Sequence, residues 1–182
     1  MYARLVSHFY TKMTKLMDEL SESPRQLSDC CAGISKPLIH LLVDRLQRGP
    51  GRILSVGCGA GRLEATLIEA SGSLDLYGVE VPSCATKHLP DDRILRVTGT
   101  TSVHASAQSA STLMFIYPRD PSLVAKYIAA GVNGGMKQVM WLGHRSDWPD
   151  FEPAMVENTG EVELIDGRGI APYELLVVWK MI

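Results

Sequence analysis

The residues best suited to chemistry stand in one short run, Gly57-Cys58-Gly59-Ala60-Gly61, between the apolar stretch Ile53 to Val56 and the helix-like stretch Leu63 to Glu69. Glycines at such a junction let the backbone turn sharply and let a ligand approach without a Cβ in the way. The chemistry implied is the holding of a nucleotide-like ligand at the carboxyl end of a buried strand. Roughly 20 residues further on, a second apolar run, Tyr77-Gly78-Val79-Glu80-Val81, carries an acid, Glu80, near its end. A carboxylate at that point accepts hydrogen bonds from both hydroxyls of a ribose. Gly99-Thr100-Thr101 closes a third run, Tyr117 a fourth, and His144 follows a fifth. An imidazole at a strand end can deprotonate a hydroxyl or thiol near neutral pH, so His144 is the candidate catalytic base. The plainer reading of His144 is an exposed loop residue.

The spacing of the glycines separates three ligand classes. A phosphate-binding P-loop needs Gly-Lys-Ser/Thr, and Arg62-Leu63 does not supply it. A dinucleotide loop needs a third glycine where Arg62 stands. The compact GxGxG form instead resembles motif I of the class I S-adenosylmethionine-dependent methyltransferases, and the resemblance extends over about Ile53 to Ile182. It implies S-adenosyl-L-methionine as cofactor, with Gly57, Cys58, Gly59 and Gly61 beneath its methionyl and ribose parts. It also implies Glu80 and Val81 at the ribose, and Thr100 and Thr101 near the adenine amino group, where the family often has Gly-Asp. Ser55 occupies a position that is usually acidic in the family. Leu113 to Pro121 resembles motif IV, which places Tyr117 between cofactor and acceptor. Tyr117-Pro118-Arg119-Asp120 is not the Asn/Asp-Pro-Pro-Tyr of enzymes that act on amides or exocyclic amines, so a positioning role is expected there. Methyl transfer from a sulfonium is an in-line displacement in which positioning supplies most of the rate. An obvious acid–base pair is therefore not required.

These residues need elements to hold them. Leu5, Val6, Phe9, Tyr10, Met13, Leu16, Met17 and Leu20 form one helical stripe over about Tyr2 to Leu20, and a second helix is expected over Ser35 to Gln47. His8 and Tyr10 lie on the first helix, either in its core stripe or as part of a lid over the cofactor. Strands are expected at Ile53–Val56, Leu74–Val81, Ile94–Thr98, Leu113–Tyr117, Gln138–Leu142, Val162–Ile165 and Leu175–Met181, with a short helix over Phe151–Asn158. Continuous apolar strands separated by helices mean a parallel sheet covered on both faces. The last two runs are joined by a turn at Gly167-Arg168-Gly169, which makes the final strand antiparallel. Pro82–Pro90 and Ser102–Ala110 sit where crossover helices belong, yet are short and poorly periodic. The expectation is one α/β domain over 1–182: a three-layer, Rossmann-like methyltransferase fold with a mostly parallel seven-stranded sheet. Residues 1–50 would form an N-terminal helical lid and 51–182 the core.

A chain of 182 residues that is 46% hydrophobic and 21% charged supports one sizeable core. Its net charge of -2 offers no basic field for a phosphate backbone, so the expected partner is a small-molecule acceptor and not nucleic acid. Cys30, Cys31, Cys58 and Cys84 lack metal-ligand spacing, so no metal is expected. Cys58 reads as a small packing residue within the loop. With no signal-like stretch and no run of about 18 apolar residues, a cytoplasmic location off the membrane follows as an expectation. Two rival readings stay open. One is a degenerate methyltransferase-like domain that binds a protein partner, motivated by Ser55 and Thr100. The other is a nucleotide-dependent oxidoreductase, which Arg62 disfavours.

Overall fold

A computed structural model describes residues 16–49, 51–156, 160–167 and 169–181. The expected first helix therefore lies largely outside the described residues, with His8 and Tyr10; only its end, at Leu16, Met17 and Asp18, is helical there. A small antiparallel pair, β1 (Arg25–Gln26) and β2 (Gly33–Ile34), precedes α1 (Lys36–Gln47). Ser35 caps α1 by accepting from the Leu38 amide, and Pro37 sits in the first turn, where no amide is needed.

Seven further strands form one sheet: β3 (Ile53–Val56), β4 (Leu76–Glu80), β5 (Ile94–Arg96), β6 (Thr112–Ile116), β7 (Gln138–His144), β8 (Gly160–Ile165) and β9 (Glu174–Met181). Their order is β5-β4-β3-β6-β7-β9-β8, parallel throughout except for β9. The chain leaves β3 in one direction through β4 and β5, then returns to place β6 on β3's other side. That reversal opens a crevice at the carboxyl ends of β3 and β6, where ligands bind in open α/β sheets.

Period-two alternation in the strands decides the layers. Leu54, Val56, Phe115, Trp141 and Trp179 point to one face and pack with α3 (Pro121–Asn133) and α4 (Trp148–Val156). Ile53, Met114, Met140, Leu142 and Val178 point to the other and pack with α1 and α2 (Arg62–Ser71). Each fully buried Leu or Ile adds about 1.5–3 kcal/mol by leaving water. Ser55, between Leu54 and Val56, takes the α2 side. The fold is the three-layer, Rossmann-like arrangement expected from the sequence.

Several details differ, among them the β1–β2 pair and the shorter β4 and β5. The β4–β5 and β5–β6 crossovers carry only short 3-10 helices, Asp91–Arg93 and Ala105–Ser109: both connections are short, and Pro82 and Pro90 interrupt the first. Helix α4 begins at Trp148 rather than Phe151, since Pro149 suits a first turn. β7 runs on to His144, pairing with Glu174. The β8–β9 connection is a longer loop than a tight turn: the Ser35 hydroxyl donates to the Gly169 carbonyl at 2.7 Å, and Ile170 and Ala171 are buried. Arg168 lies outside the described residues. No helix among those described is long and apolar enough to cross a membrane.

Candidate functional site

The glycine loop leaves β3 with the Gly57 amide donating to the Val79 carbonyl at 2.8 Å, which ties it to β4. Gly57 and Gly59 adopt φ of 76° and 55°, and a Cβ built on either would meet nothing within 4 Å. Their bare faces border open space, the cradle a ligand would fill. Gly61 differs. A Cβ there would come within 2.9 Å of Leu89, so this glycine serves packing.

Glu80 ends β4 beside the loop. Its Oε2 accepts from the Gly59 amide at 2.8 Å and its Oε1 from the Val81 amide at 2.9 Å. The acid read from the sequence as a ribose partner thus has a second task, pinning the glycine loop to the strand end. Each oxygen keeps a lone pair for a further donor.

Two cavities meet across this loop. One, of about 560 Å³, lies between residues 57–60 and 62–64 on one side and residues 26–31 on the other. The other, of about 570 Å³, is lined by Glu80, Val81, Thr100, Thr101, Phe115 and Tyr117 among others. They share Cys31, Gly57, Gly59 and Ile116, and each is within the size range of small-molecule sites. A third, of about 430 Å³, adjoins them through Cys31 and Tyr117 and is walled by Pro118, Arg119, Asp147 and Phe151. Exposed Cys31 stands where all three meet.

Asp29 holds the segment over the first cavity. It accepts from Arg62 Nε at 2.6 Å and lies 2.6 Å from His88 Nε2, and Arg62 also reaches Glu19 at 2.8 Å. Burial raises the Asp29 carboxyl, but the hydrogen bonds from Arg62 and His88 outweigh that and hold it below the usual range. The same segment is anchored at its far end, where the Gly33 amide donates to buried Glu174 at 2.8 Å.

Glu174 also accepts from the Tyr117 hydroxyl at 2.9 Å. Tyr117 is the one non-glycine residue among those described with a left-handed backbone, φ 51°. Strain of this kind concentrates at functional sites. Burial, then the bond to Glu174, pushes its phenol up, so it stays protonated.

The structure brings Gly57, Cys58, Gly59, Glu80, Val81, Thr100, Thr101 and Tyr117 to the cavity walls. It brings neither Gly61, which is packed against Leu89, nor His144 there. That ring lies outside all three linings, exposed, stacked on Tyr173 at 5.7 Å and 2.7 Å from Ser146 Oγ. Cys58 packs against Gly78, where a Cβ would lie 2.5 Å from its sulfur, and burial pushes its thiol up and out of nucleophilic range.

Three participants were not foreseen: Cys31 with its segment, Glu174 and Glu64. Glu64 is 2% exposed, lines the first cavity, and accepts from the Ser55 hydroxyl at 2.6 Å. Burial pushes its carboxyl up to about 7, against the lowering effect of the Ser55 bond. A signal existed in the small polar Ser55 within an apolar strand and in an acid beside Leu63 on the inward face of α2.

The sequence matches no protein-family model and no curated protein sequence. Its structure matches 387 solved chains. The methyltransferase domain of bacterial CtHen1 superimposes with a TM-score of 0.56 at 14% identity, covering 79% of this chain and 97% of that one. An S-adenosylmethionine-dependent O-methyltransferase from Thermotoga maritima gives 0.61 at 13%, covering 82% and 66%. A putative rRNA-methylase from Clostridium thermocellum gives 0.53 at 14%, covering 79% and 95%. The chain has the Rossmann-like fold of the class I S-adenosylmethionine-dependent methyltransferases.

The third similarity corrects the expectation that nucleic acid is excluded as a partner. Net charge sums the whole chain, whereas contact with phosphates depends on local charge. The fold present here is also that of the putative rRNA-methylase.

Proposed function

We propose that this chain is an S-adenosylmethionine-dependent methyltransferase. The observation that carries the reading is the cradle at the reversal point of the sheet: Gly57 and Gly59 bare toward open space, with the Glu80 carboxylate beside them. A nucleoside with an amino-acid extension fits this donor set. Glu80 keeps free lone pairs for ribose hydroxyls, and the Thr100 and Thr101 hydroxyls lie along the second cavity for a base edge. Leu123, Val124 and Phe115 offer that cavity an apolar wall. When bound, the cofactor supplies an electrophilic methyl group on a sulfonium.

The chain's own residues hold and orient. Glu80 fixes the loop, Asp29 and Glu174 fix the covering segment, and Tyr117 walls the passage from the second cavity to the third, where an acceptor would enter. Tyr117, held protonated, and His144, outside the cavities, are not placed to take a proton; the carboxylates at the far side of that passage are Asp147 and Asp150, on the wall of the third cavity. Catalysis by positioning suits an acceptor that is already nucleophilic. A degenerate, cofactor-free domain is disfavoured by the open cradle, which such a domain has no reason to keep.

Calorimetric titration with S-adenosylhomocysteine, and with NAD as control, tests the reading. Saturable binding of the first and none of the second is expected. NAD binding in its place would overturn it, and so would no heat with either.

A further inference from the structure

Glu64 is a buried acid at a cavity wall that nothing so far explains. Among the described residues its carboxylate meets no cation. Ser55, from β3, is its one side-chain donor. The ionisable groups facing it are Glu80 from the end of β4, Cys58 from the glycine loop and Cys30 from the covering segment, none of which carries positive charge. Arg62, two residues earlier on α2, turns away to Asp29 and Glu19. Buried carboxylates are kept where they are paired or where they do work, because an unpaired one is costly. An apolar residue would fill this site at lower cost. It is walled by Gly57, Cys58 and Gly59, and open on the ligand side. A cation brought into the cavity by a ligand would pair with this carboxylate and relieve the cost of its charge.

We propose that Glu64 is the anionic partner of the α-ammonium group at the methionyl end of S-adenosylmethionine, an assignment that rests on the cofactor reading above. α2 supplies from its first turn a carboxylate that β3, with Ser55, lacks. The Ser55 hydroxyl donates to Oε1 of that carboxylate at 2.6 Å and orients it at the cavity wall.

Charge balance gives the assignment a signature. Below about pH 7 the free chain holds Glu64 protonated. A bound ammonium favours the carboxylate, so binding expels the carboxyl proton to solvent. Above that pH nothing is expelled. Affinity for any ligand with the ammonium falls as pH drops from 8 to 6, and affinity for a ligand without it does not.

The test compares wild type with Glu64→Gln, binding S-adenosylhomocysteine, which has the ammonium, and 5′-methylthioadenosine, which lacks the amino-acid part. Glu64→Gln should weaken S-adenosylhomocysteine by about 10–100-fold, the range of a lost hydrogen bond to a charged group. It should leave 5′-methylthioadenosine unchanged, which also proves the pocket folded. Calorimetry in two buffers of different ionisation enthalpy should show close to one proton released by wild type at pH 6, none at pH 8, and none by the variant at either. Equal weakening of both ligands would make Glu64 merely structural and overturn the assignment. Unchanged affinity for S-adenosylhomocysteine would overturn it too. If wild type binds neither ligand, the cofactor reading itself falls, and the assignment with it.

Discussion

Glu64, Glu80 and Gly59 each carry a prediction that can be read from one side chain. The folded chain keeps the Glu64 proton up to about pH 7, while the unfolded chain releases it near 4.5. The stability this confers is complete below 4.5 and is lost as pH rises through 7. That window is worth on the order of 3 kcal/mol. In urea melts without ligand, Glu64→Gln should therefore gain on wild type by about that amount between pH 5 and pH 8; a constant difference would place the proton elsewhere. Glu80→Ala removes the acceptor of two backbone amides as well as the proposed ribose contact, so cofactor affinity should drop at least 10-fold, with a small loss of stability. Gly59→Asp is a sharper probe. Aspartate tolerates a left-handed backbone better than most residues, and nothing crowds its Cβ. The variant should keep a wild-type circular dichroism spectrum and yet bind no cofactor. Glu80 was legible in the sequence because a strand end and a glycine loop bracket it. Glu64 was not, because an acid on a short helix reads as solvated until the helix has a partner face. His144 illustrates the reverse failure: position after a strand does not decide which way the last side chain turns, and β7 ran two residues beyond its apolar core to pair with β9.

At the scale of elements, the strands were legible and the covering segment was not. Seven apolar runs bounded by glycine and proline read directly as strands, whereas residues 21–34 have no period, and their fold comes from distant partners: Asp29 with Arg62 and His88, Gly33 with Glu174. The crossovers after β4 and β5 were legible only as weak spots, and they are indeed the stretches without α-helix. Covering by 26–31 has a measurable consequence. Cys31 is exposed at the junction of the three cavities, while its neighbour Cys30 has its thiol pushed up to about 12 by burial. Iodoacetamide at pH 8 should label Cys31 well ahead of Cys30. Saturating S-adenosylhomocysteine should slow Cys31 labelling several-fold, read by peptide mass spectrometry. Equal labelling with and without ligand would mean that 26–31 does not close on the cofactor. Asp29→Asn weakens the tie to α2 at an ion pair that is mostly shielded from solvent. It should restore part of the labelling in the presence of ligand by speeding cofactor release.

The N-terminal segment that roofs the first cavity is tied to the α/β core by Asp29 with Arg62 and His88 and by Gly33 with Glu174, and the glycine loop faces it across the cavity. Whole-chain charge, the broadest number in the sequence, proved too coarse to choose the acceptor, because near-neutrality of the sum leaves local charge open. Cofactor linkage is a better whole-molecule test. A ligand held by the folded chain alone, at about 100 times its dissociation constant, adds roughly 2.7 kcal/mol of stability, which for a chain of this size raises the melting temperature by about 5–10 °C. S-adenosylhomocysteine should produce that shift at pH 8, and NAD should produce none. Gly59→Asp should melt near the wild-type temperature yet show no shift with either ligand, since it keeps the fold and fills the cradle. The shift should shrink toward pH 6 for wild type but not for Glu64→Gln, because only wild type must give up a proton to bind. Differential scanning fluorimetry of the three proteins at the two pH values reads all of this in one experiment. A pH-independent shift in wild type would leave the cofactor site standing and remove Glu64 from it, whereas a shift retained by Gly59→Asp would move the site away from the glycine loop altogether.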